Sequence, residues 1–409
     1  MKCRTRSTVW ALLLFALLAF PATSSEADPL MAHGPCKASI QDLINTHQND
    51  TAFRQLLDDA FADMRQLPQG YPGVNPWIGK RFPDLVAFLT DWCAFLPTMV
   101  NGEDNGLKFI KDFAWFYYQN KAGMRFVKHS PGKEIMQDFA KQHGAYLDSG
   151  ASKKYVAQWL QDPRAEREDY NLPDPKAKDG GFKSFNQFFA RTLKNQNKSR
   201  PQTMPDRDYV ISAPTDCIMN SVNQRIVDSE TRLPTKFRQA LNINDMLGGS
   251  KYAKRFVGGT ALSCVLMPNT YHHYHSPVAG HVVEAGIIKD AYYGYDNFPK
   301  WVPPNGNVGY YGTEFSQFER FQRGYFVVDT GKYVHVAMVP VGLDTISSII
   351  FNKRFREIER PVPVKRGDEL GHFLYGGSLF IMIFEPGRYK SDAIKVRLGN
   401  QIGVFDPGK

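Results

Sequence analysis

The sequence predicts an α+β fold, in which a mostly helical N-terminal domain precedes a β-rich, barrel-sandwich-like domain. The chain has 409 residues, 43% of them hydrophobic, which is enough to bury one large core or two moderate ones. Apolar residues from Phe53 to Met64 recur at three- and four-residue spacing, as on one face of a helix. Beyond about residue 184 the apolar residues come in short runs bounded by Gly, Pro and Asn, which is typical of strands.

The first 25 residues have the layout of a secretory signal peptide. A basic start is followed by the apolar run Val9–Phe20 and by small residues as far as Ser25. The run is short for a bilayer span, but an uncleaved N-terminal anchor stays an alternative because the cleavage site is not a clean Ala-x-Ala. We therefore expect an exported protein, periplasmic or secreted, that is able to lie peripherally on a membrane.

The net charge gives little support to nucleic acid as a partner. The formal charge is +9, and loss of the leader removes Lys2, Arg4 and Arg6 and no acidic residue, which leaves about +6. The remaining basic residues are spread along the chain, so nucleic-acid binding gains little support. A mild positive charge suits weak attraction to anionic lipid headgroups.

Residues 34–150 are expected to form the helical domain. The apolar stripe Phe53–Met64 indicates a helix that Asp50 or Thr51 is placed to cap. The aromatic run Trp115–Tyr118 is more typical of a core than of a ligand site. Two further helices are expected over Pro83–Leu96 and Leu107–Tyr118.

The second half begins after a polar segment. Residues 151–183 are rich in charge, Pro and Gly, and are expected to link the two domains. The β-rich domain is expected over residues 184–409. Its clearest strand candidates are Ala261–Met267, Val334–Val341 and Leu379–Phe384.

Four of the five cysteines lie outside the leader, and in an exported protein they permit three pairings. If disulfides form, Cys36 with Cys93 and Cys217 with Cys264 are favoured, because each pair then lies within one predicted domain. Free buried thiols are the alternative.

Reactive side chains concentrate in three places: Ser212–Cys217 (SAPTDC), Tyr271–Gly280 (YHHYHSPVAG) and His372–Gly387 (HFLYGGSLFIMIFEPG). A carboxylate that orients an imidazole, which in turn deprotonates a hydroxyl, makes a serine nucleophilic at neutral pH. The spacing of His273 and His275 also allows zinc binding, as in β-rich metallopeptidases, although no histidine lies near Asp216. A protein that has lost its chemistry and only binds is a further alternative.

Seven stretches of the β-rich half follow one another in a recognisable order. In this series the chain resembles the phosphatidylserine decarboxylase family of pyruvoyl enzymes, and the order of the stretches gives each motif its context. The stretches are Ser184–Pro201 (SFNQFFARTLKNQNKSRP), Pro214–Asp216 (PTD), Leu247–Gly259 (LGGSKYAKRFVGG), Tyr271–Pro277 (YHHYHSP), Val339–Ile349 (VPVGLDTISSI), Lys365–Gly371 (KRGDELG) and Phe373–Ser378 (FLYGGS).

This resemblance implies that Ser378 is consumed to make a cofactor. His275, held by Asp216, is expected to take the proton of the Ser378 hydroxyl, whose oxygen attacks the carbonyl of Gly377. The ester then breaks by loss of the Ser378 α-proton, and hydrolysis leaves a pyruvoyl group and ammonia. The precursor is thereby cut between Gly377 and Ser378 into a large and a small chain.

The implied cofactor is pyruvate, held covalently as the pyruvoyl group at position 378, and no diffusible cofactor or metal is expected. Its carbonyl condenses with a substrate amine and accepts the electron pair released as carbon dioxide leaves. A proton must then return to the substrate. His272 is the candidate to donate it or to orient the substrate carboxylate, and a hydrogen-bonded structural histidine is the alternative.

Departures from the family pattern concern the substrate rather than the chemistry. His273 stands where the family commonly has arginine, Leu379 where it commonly has threonine or serine, and Tyr292–Phe321 adds aromatic residues. The helical front half is expected to lack a counterpart in the compact bacterial enzymes and to resemble that of a branch with soluble fungal tryptophan decarboxylases. Phosphatidylserine, converted to phosphatidylethanolamine, is the expected substrate, and a soluble aromatic amino acid is the alternative. A homo-oligomer is compatible with either.

Overall fold

A computed structural model describes residues 30–71, 73–100, 103–222, 225–227, 240–295, 316–343 and 348–390. The predicted leader, residues 296–315 of the aromatic segment, residues 344–347 of one family-like stretch and residues 391–409 lie outside the described residues. Contacts join the described residues from Ala32 onward into one compact unit. None of the helices in the described ranges is long and apolar enough to cross a membrane.

Helices dominate the first half of the chain, as the sequence predicts. The expected cap is confirmed, because Asp50 Oδ1 accepts a hydrogen bond of 3.0 Å from the backbone N–H of Phe53. The aromatic run is core, since Trp115, Phe116 and Tyr117 are buried. The α-helices of the described residues are α1 (Lys37–Asn49), α2 (Thr51–Ala62), α3 (Phe82–Ala94), α4 (Lys108–Tyr117), α5 (Lys121–Lys128), α6 (Gly132–Asp148), α7 (Val156–Gln161), α8 (Phe185–Phe189), α9 (Gln196–Ser199) and α10 (Ile243–Met246).

The segment expected to act as a linker contains packed structure. Trp159 of α7 is fully buried and its ring packs against Phe185 and Phe188 of α8. The same cluster includes Tyr375, which lies just before the last strand. This cluster therefore anchors the helical half to the chain segment that leads into Ser378. The exact boundaries of the two predicted domains stay a prediction.

The second half forms strands. All three predicted strand segments are confirmed, as β6, β10 and β14. The strands of the described residues are β1 (Met99–Val100), β2 (Glu103–Asp104), β3 (Ile218–Val222), β4 (Arg225–Val227), β5 (Ala240–Asn242), β6 (Thr260–Leu266), β7 (His273–His275), β8 (Gly280–Ile288), β9 (Arg323–Asp329), β10 (His335–Leu343), β11 (Ile349–Phe351), β12 (Val362–Val364), β13 (Glu369–Phe373) and β14 (Gly377–Phe384).

Two antiparallel sheets carry the site. The larger has the strand order β12-β8-β9-β10-β14-β6-β3 and the smaller the order β11-β13-β7. Their facing side chains share one hydrophobic core, in which Tyr274 of β7 and Phe373 of β13 meet Phe380 of β14. The α+β class is confirmed, but a closed barrel is not formed, because β12 and β3 remain unpaired edges at opposite ends of the larger sheet within the described strands.

One of the two favoured disulfides is present. Cys36, just before α1, is bonded to Cys93 of α3, with their Cα atoms 5.9 Å apart. The expectation for Cys217 and Cys264 is wrong for this structure, in which both are free thiols. A hydrogen bond with Cys217, together with burial, raises the pKa of Cys264 well above its usual value, so the Cys264 thiol stays protonated.

Candidate active site

Ser378 lies at the start of β14, a central strand of the larger sheet. It pairs with Gly342 of β10 on one side and with Leu266 of β6 on the other. The side chain is 4% exposed, and its Oγ has no hydrogen-bond partner among the described residues. A buried hydroxyl without a partner is costly, and such groups in native proteins commonly have a chemical role. The structure describes the uncut chain, in which Gly377 and Ser378 are joined.

The backbone conformation before Ser378 explains one of the two glycines that precede it. Gly376 has φ of +147°, which L side chains rarely adopt. Gly377 then enters β14 and pairs with Leu343. A glycine at 376 therefore allows the sharp change of direction between the Tyr375 cluster and the strand that carries Ser378.

His275 lies on β7 beside the predicted acidic segment. Its backbone N–H donates to the carbonyl oxygen of Pro214 at 2.8 Å, which holds the Pro214–Asp216 segment against β7. The ring Nδ1 is 2.8 Å from the carbonyl oxygen of Gly367, and Nε2 is 3.0 Å from the Tyr271 hydroxyl. Because a carbonyl only accepts, Nδ1 carries the proton and Nε2 accepts from Tyr271. Burial lowers the pKa of His275, so this neutral tautomer is favoured.

The expectation that Asp216 holds His275 is not met by a direct hydrogen bond, because both ring nitrogens of His275 bond to other residues. The Asp216 carboxylate is instead held by Arg200, whose Nε is 2.9 Å from Oδ1 and whose Nη2 is 2.8 Å from Oδ2. Arg200 also contacts Asp169 and Glu166, so one guanidinium joins three carboxylates. Asp216 and His275 nevertheless line the same cavity of about 430 Å³, and the charge of Asp216 acts to raise the pKa of His275.

His272 is the predicted residue that contacts the segment leading to Ser378. Its carbonyl oxygen accepts from the N–H of Phe373 at 2.9 Å. Its ring lies 3.7 Å from that of Phe189, which in turn packs 5.4 Å from Tyr375, three residues before Ser378. The ring Nδ1 donates to the carbonyl oxygen of Thr270 at 2.9 Å. Burial, and then the positive charge of Arg191, hold the pKa of His272 well below its usual value.

The structure brings two of the predicted residues together. Asp216 and His275 share a cavity, whereas His272 is linked to Ser378 only through Phe189 and Tyr375, which precedes Ser378 by three residues. The described structure shows no hydrogen bond from His275 to Ser378, since both ring nitrogens of His275 are engaged elsewhere. The residues that occupy them, Tyr271 and Gly367, both lie in stretches that the family resemblance singles out.

Sequence reasoning missed a buried cation next to His272. Arg191 is 2% exposed, its guanidinium lies 4.2 Å above the ring of Tyr170, and its Nη2 donates to the carbonyl oxygen of Asn269 at 2.9 Å. Its Nε has no hydrogen-bond partner among the described residues. Arg191 belongs to the quoted Ser184–Pro201 stretch, but no spacing signal distinguishes it from the other basic residues there.

Comparison with known proteins adds independent information. A family model described as phosphatidylserine decarboxylase matches residues 185–404. The chain is 29% identical over 297 residues to phosphatidylserine decarboxylase proenzyme 3 of Schizosaccharomyces pombe, a match that covers 70% of this chain and 28% of that protein. It is 28% identical over 312 residues to the phosphatidylserine decarboxylase proenzyme of Clostridium novyi, which covers 74% of this chain and 93% of that protein.

A third relative differs in name. The chain is 29% identical over 248 residues to decarboxylase iboD of Amanita muscaria, over 58% of this chain and 68% of that protein. The chain spans well under half the length of two of its relatives, 28% of the fission-yeast protein and 40% of phosphatidylserine decarboxylase proenzyme 2 of rice.

The bacterial match corrects one expectation about the helical half. A match over 74% of this chain is about 303 residues, whereas residues 185–409 number only 225. The aligned region therefore extends well in front of residue 185. Part of the helical half has a counterpart in a bacterial relative, contrary to the prediction that the compact bacterial enzymes lack one.

Proposed function

Because the chain belongs to the phosphatidylserine decarboxylase family, we propose that it is a precursor that cuts itself between Gly377 and Ser378 and then acts as a pyruvoyl-dependent decarboxylase. The observation that carries this proposal is the buried Ser378 hydroxyl, which lacks a partner in the described residues and directly follows two glycines. The residues present fit the implied group, because the serine that would become the pyruvoyl lies in a buried position at the head of a central strand. A pyruvoyl group supplies a carbonyl that binds a substrate amine and withdraws electrons as carbon dioxide leaves.

His275 is the proposed base for the cutting step. It takes the proton from Ser378 Oγ once Nε2 has left Tyr271, and the oxygen attacks the carbonyl carbon of Gly377. Two anions support this choice, because the charges of Glu369 and Asp216 act to raise the pKa of His275 against the effect of burial. His272 lies instead beside the cation Arg191, which makes it the weaker base.

Phosphatidylserine, converted to phosphatidylethanolamine, is the substrate that we propose. The names of the yeast, plant and bacterial relatives support it. Arg191 is suited to hold an anionic group of the substrate, since it is buried and one of its N–H groups is unpartnered in the described structure. A free amino acid is the second candidate, because a relative named only as a decarboxylase matches the chain equally well in identity.

We further propose that the protein acts in an oxidising compartment. The Cys36–Cys93 disulfide supports this, since disulfides persist in exported proteins and are rare in a reducing cytosol. The proposed leader is tested by sequencing the N-terminus of the protein purified from its native cells, where a start after residue 25 is expected and an intact Met1 would contradict the proposal.

Ser378→Ala tests the cutting step. Mass spectrometry of the purified wild-type protein should show two fragments, the shorter beginning with a blocked pyruvoyl terminus, whereas the variant should show one uncut chain without decarboxylase activity. Ser263→Ala, which changes another buried serine in the neighbouring strand β6, should be cut normally. A cut Ser378→Ala chain, or full activity in an uncut wild-type chain, would refute the proposal.

The substrate is tested separately. The cut protein is offered phosphatidylserine in detergent micelles or a panel of free amino acids, and carbon dioxide release is followed. Release from the lipid alone supports the proposed substrate. Release only from a free amino acid would transfer the function to the second candidate while leaving the cutting mechanism intact.

A further inference from the structure

A β-bulge assembles a cluster of three side chains on the smaller sheet. β13 pairs with β7 so that His372 faces His273, and Glu369 faces His275. Residues three apart on a regular strand point to opposite faces. The register shift between Glu369 and Gly371 changes this alternation and brings Glu369 and His372 to the same face.

The three side chains converge. Glu369 Oε1 lies 3.0 Å from His273 Nδ1, and the rings of His273 and His372 are 4.9 Å apart. One potential ligand atom from each residue lies within 4.8 Å of the other two. Ligand atoms about 2.1 Å from a tetrahedral zinc-sized ion are about 3.4 Å apart, so the longest separation in the cluster must shorten by at most about 1.4 Å, which side-chain rotation can supply.

The orientation of His273 is that of a metal ligand with an outer hydrogen bond. Its Nε2 is 2.9 Å from the carbonyl oxygen of Ala190, which fixes a proton on Nε2. Histidines that bind metals characteristically donate their second ring N–H to a carbonyl or carboxylate, which directs the other nitrogen at the ion. Nδ1 of His273 is directed in this way at Glu369.

The other two residues offer ligand atoms of the same kind. Glu369 presents a carboxylate oxygen and His372 a ring nitrogen within the cluster. The Glu369 side chain is 36% exposed, which leaves a path from solvent.

We propose that His273, Glu369 and His372 bind one divalent transition-metal ion of the zinc, cobalt or nickel type, which joins β7 to β13. Two imidazoles and one carboxylate are a ligand set that such ions favour, with remaining positions open to water. This site adjoins His275, which Glu369 faces across the strand pair, but it does not depend on the proposed function.

Calorimetric titration of the chelator-treated, dialysed full chain with Zn²⁺ tests the site, and visible absorption on titration with Co²⁺ reports on ligand geometry. One ion per chain is expected. His372→Gln and Glu369→Gln should each weaken binding at least tenfold, by analogy with the loss seen when groups around a metal are removed. His281→Gln, which changes an exposed histidine on β8 outside the cluster, should leave the affinity unchanged.

Absence of stoichiometric binding would overturn the proposal. So would binding that is unaffected by both cluster variants, or that is lost in His281→Gln, because the ion would then be held elsewhere. Circular dichroism of each variant establishes that it is folded. If one cluster variant fails to fold, the other still decides the outcome, since Glu369 and His372 contribute separate ligands.

Discussion

Two buried histidines, His272 just before β7 and His275 at its end, have different electrostatic surroundings. The negative charges of Glu369 and Asp216 act on His275, whereas the positive charge of Arg191 acts on His272. Both rings use Nδ1 to donate to a backbone carbonyl, so Nε2 is the nitrogen available for chemistry in each. The difference in charge supports a division of labour, with His275 taking the serine proton and His272 serving the later substrate reaction.

This division predicts different outcomes for two substitutions. His275→Ala should block cutting, so that gel electrophoresis shows mainly the full-length chain. His272→Ala should still be cut, but carbon dioxide release should fall at least a hundredfold, the usual loss when a side chain that transfers a proton in the reaction is removed. If His272→Ala is the variant that stays uncut, the roles are reversed.

Asp216→Asn should slow cutting without abolishing it. The substitution leaves a hydrogen-bonding side chain but removes the charge that pairs with Arg200 and raises the pKa of His275. The initial rate of fragment appearance, followed over time after synthesis, measures the effect. Asp208→Asn, an exposed aspartate outside the cavity, provides the control. Equal rates in both variants would contradict a role for Asp216.

The sequence nominates candidate reactive residues more readily than the partners that hold them. Ser378, Asp216 and His275 stand in recognisable stretches, so their candidacy followed from the chain itself. The partner of His275 is a carbonyl oxygen 92 positions away at Gly367, and that of Asp216 is one of many basic residues. Such pairings depend on strand register and loop packing, which residue type does not reveal.

At the scale of single elements, the short apolar runs predicted β6, β10 and β14 because bulky apolar residues fit a sheet buried on both faces. The actual β14 begins two residues earlier than the predicted run and so includes Gly377 and Ser378. The order of strands was beyond the sequence pattern, since β14 pairs with β10 and β6 rather than with its neighbour β13.

The turn before β14 predicts a specific effect of Gly376→Ala. An alanine is strained at φ of +147°, at a cost of order 1–3 kcal/mol, and the strain falls next to the bond that is cut. The fraction of chain cut at a fixed time should decrease. Gly331→Ala, at φ of +70° in the turn before β10, carries backbone strain with no steric clash and should be cut at the wild-type rate. Equal slowing in both variants would indicate general destabilisation instead.

The Cys36–Cys93 disulfide predicts that its removal lowers the stability of the fold. Replacing both Cys36 and Cys93 with serine frees a loop of 57 residues and should lower the free energy of unfolding by about 2–4 kcal/mol. Urea denaturation measures the loss, and a reductant should then affect wild type but not the double variant. Cys217→Ser removes a free thiol and should leave the response to reductant unchanged.

For the whole molecule, the arrangement of two facing sheets with helices against them could be predicted only as a class. Composition indicated how much core the chain can bury, but not that the helical half packs into the β-rich half. Tyr293 shows this packing, because its ring lies 5.3 Å from Phe113 of α4 and 6.0 Å from Trp92 of α3. The described start of the aromatic segment thus contributes to the interior.

A buried acid predicts how the stability of the whole fold depends on pH. Burial raises the pKa of Glu319 to about 8 from an ordinary 4.5, so the folded chain binds this proton more tightly than the unfolded chain. Its contribution to stability is therefore present below pH 4.5 and is lost as the pH rises to about 8, at up to about 1.4 kcal/mol per pH unit.

Urea denaturation at several pH values between 4.5 and about 8 measures how the free energy of unfolding declines. Glu319→Gln should flatten the decline relative to wild type, because the amide stays neutral and its oxygen still accepts from the Asn242 N–H. The exposed residue Glu359, changed to Gln, should leave the pH dependence as it is. A wild-type and Glu319→Gln pair with identical pH profiles would show that Glu319 is not a significant source of this dependence.

The position of β14 between β10 and β6 has a consequence for the lifetime of the protein. If the backbone is cut between Gly377 and Ser378, β14 stays hydrogen-bonded to β10 and β6. The large and small chains should therefore copurify under native conditions. Once denatured, however, those pieces become independent molecules that must find each other by diffusion. Only the uncut, newly made chain would then fold efficiently. The lifetime of the cut protein would be set by its unfolding rate rather than by an equilibrium between folded and unfolded states.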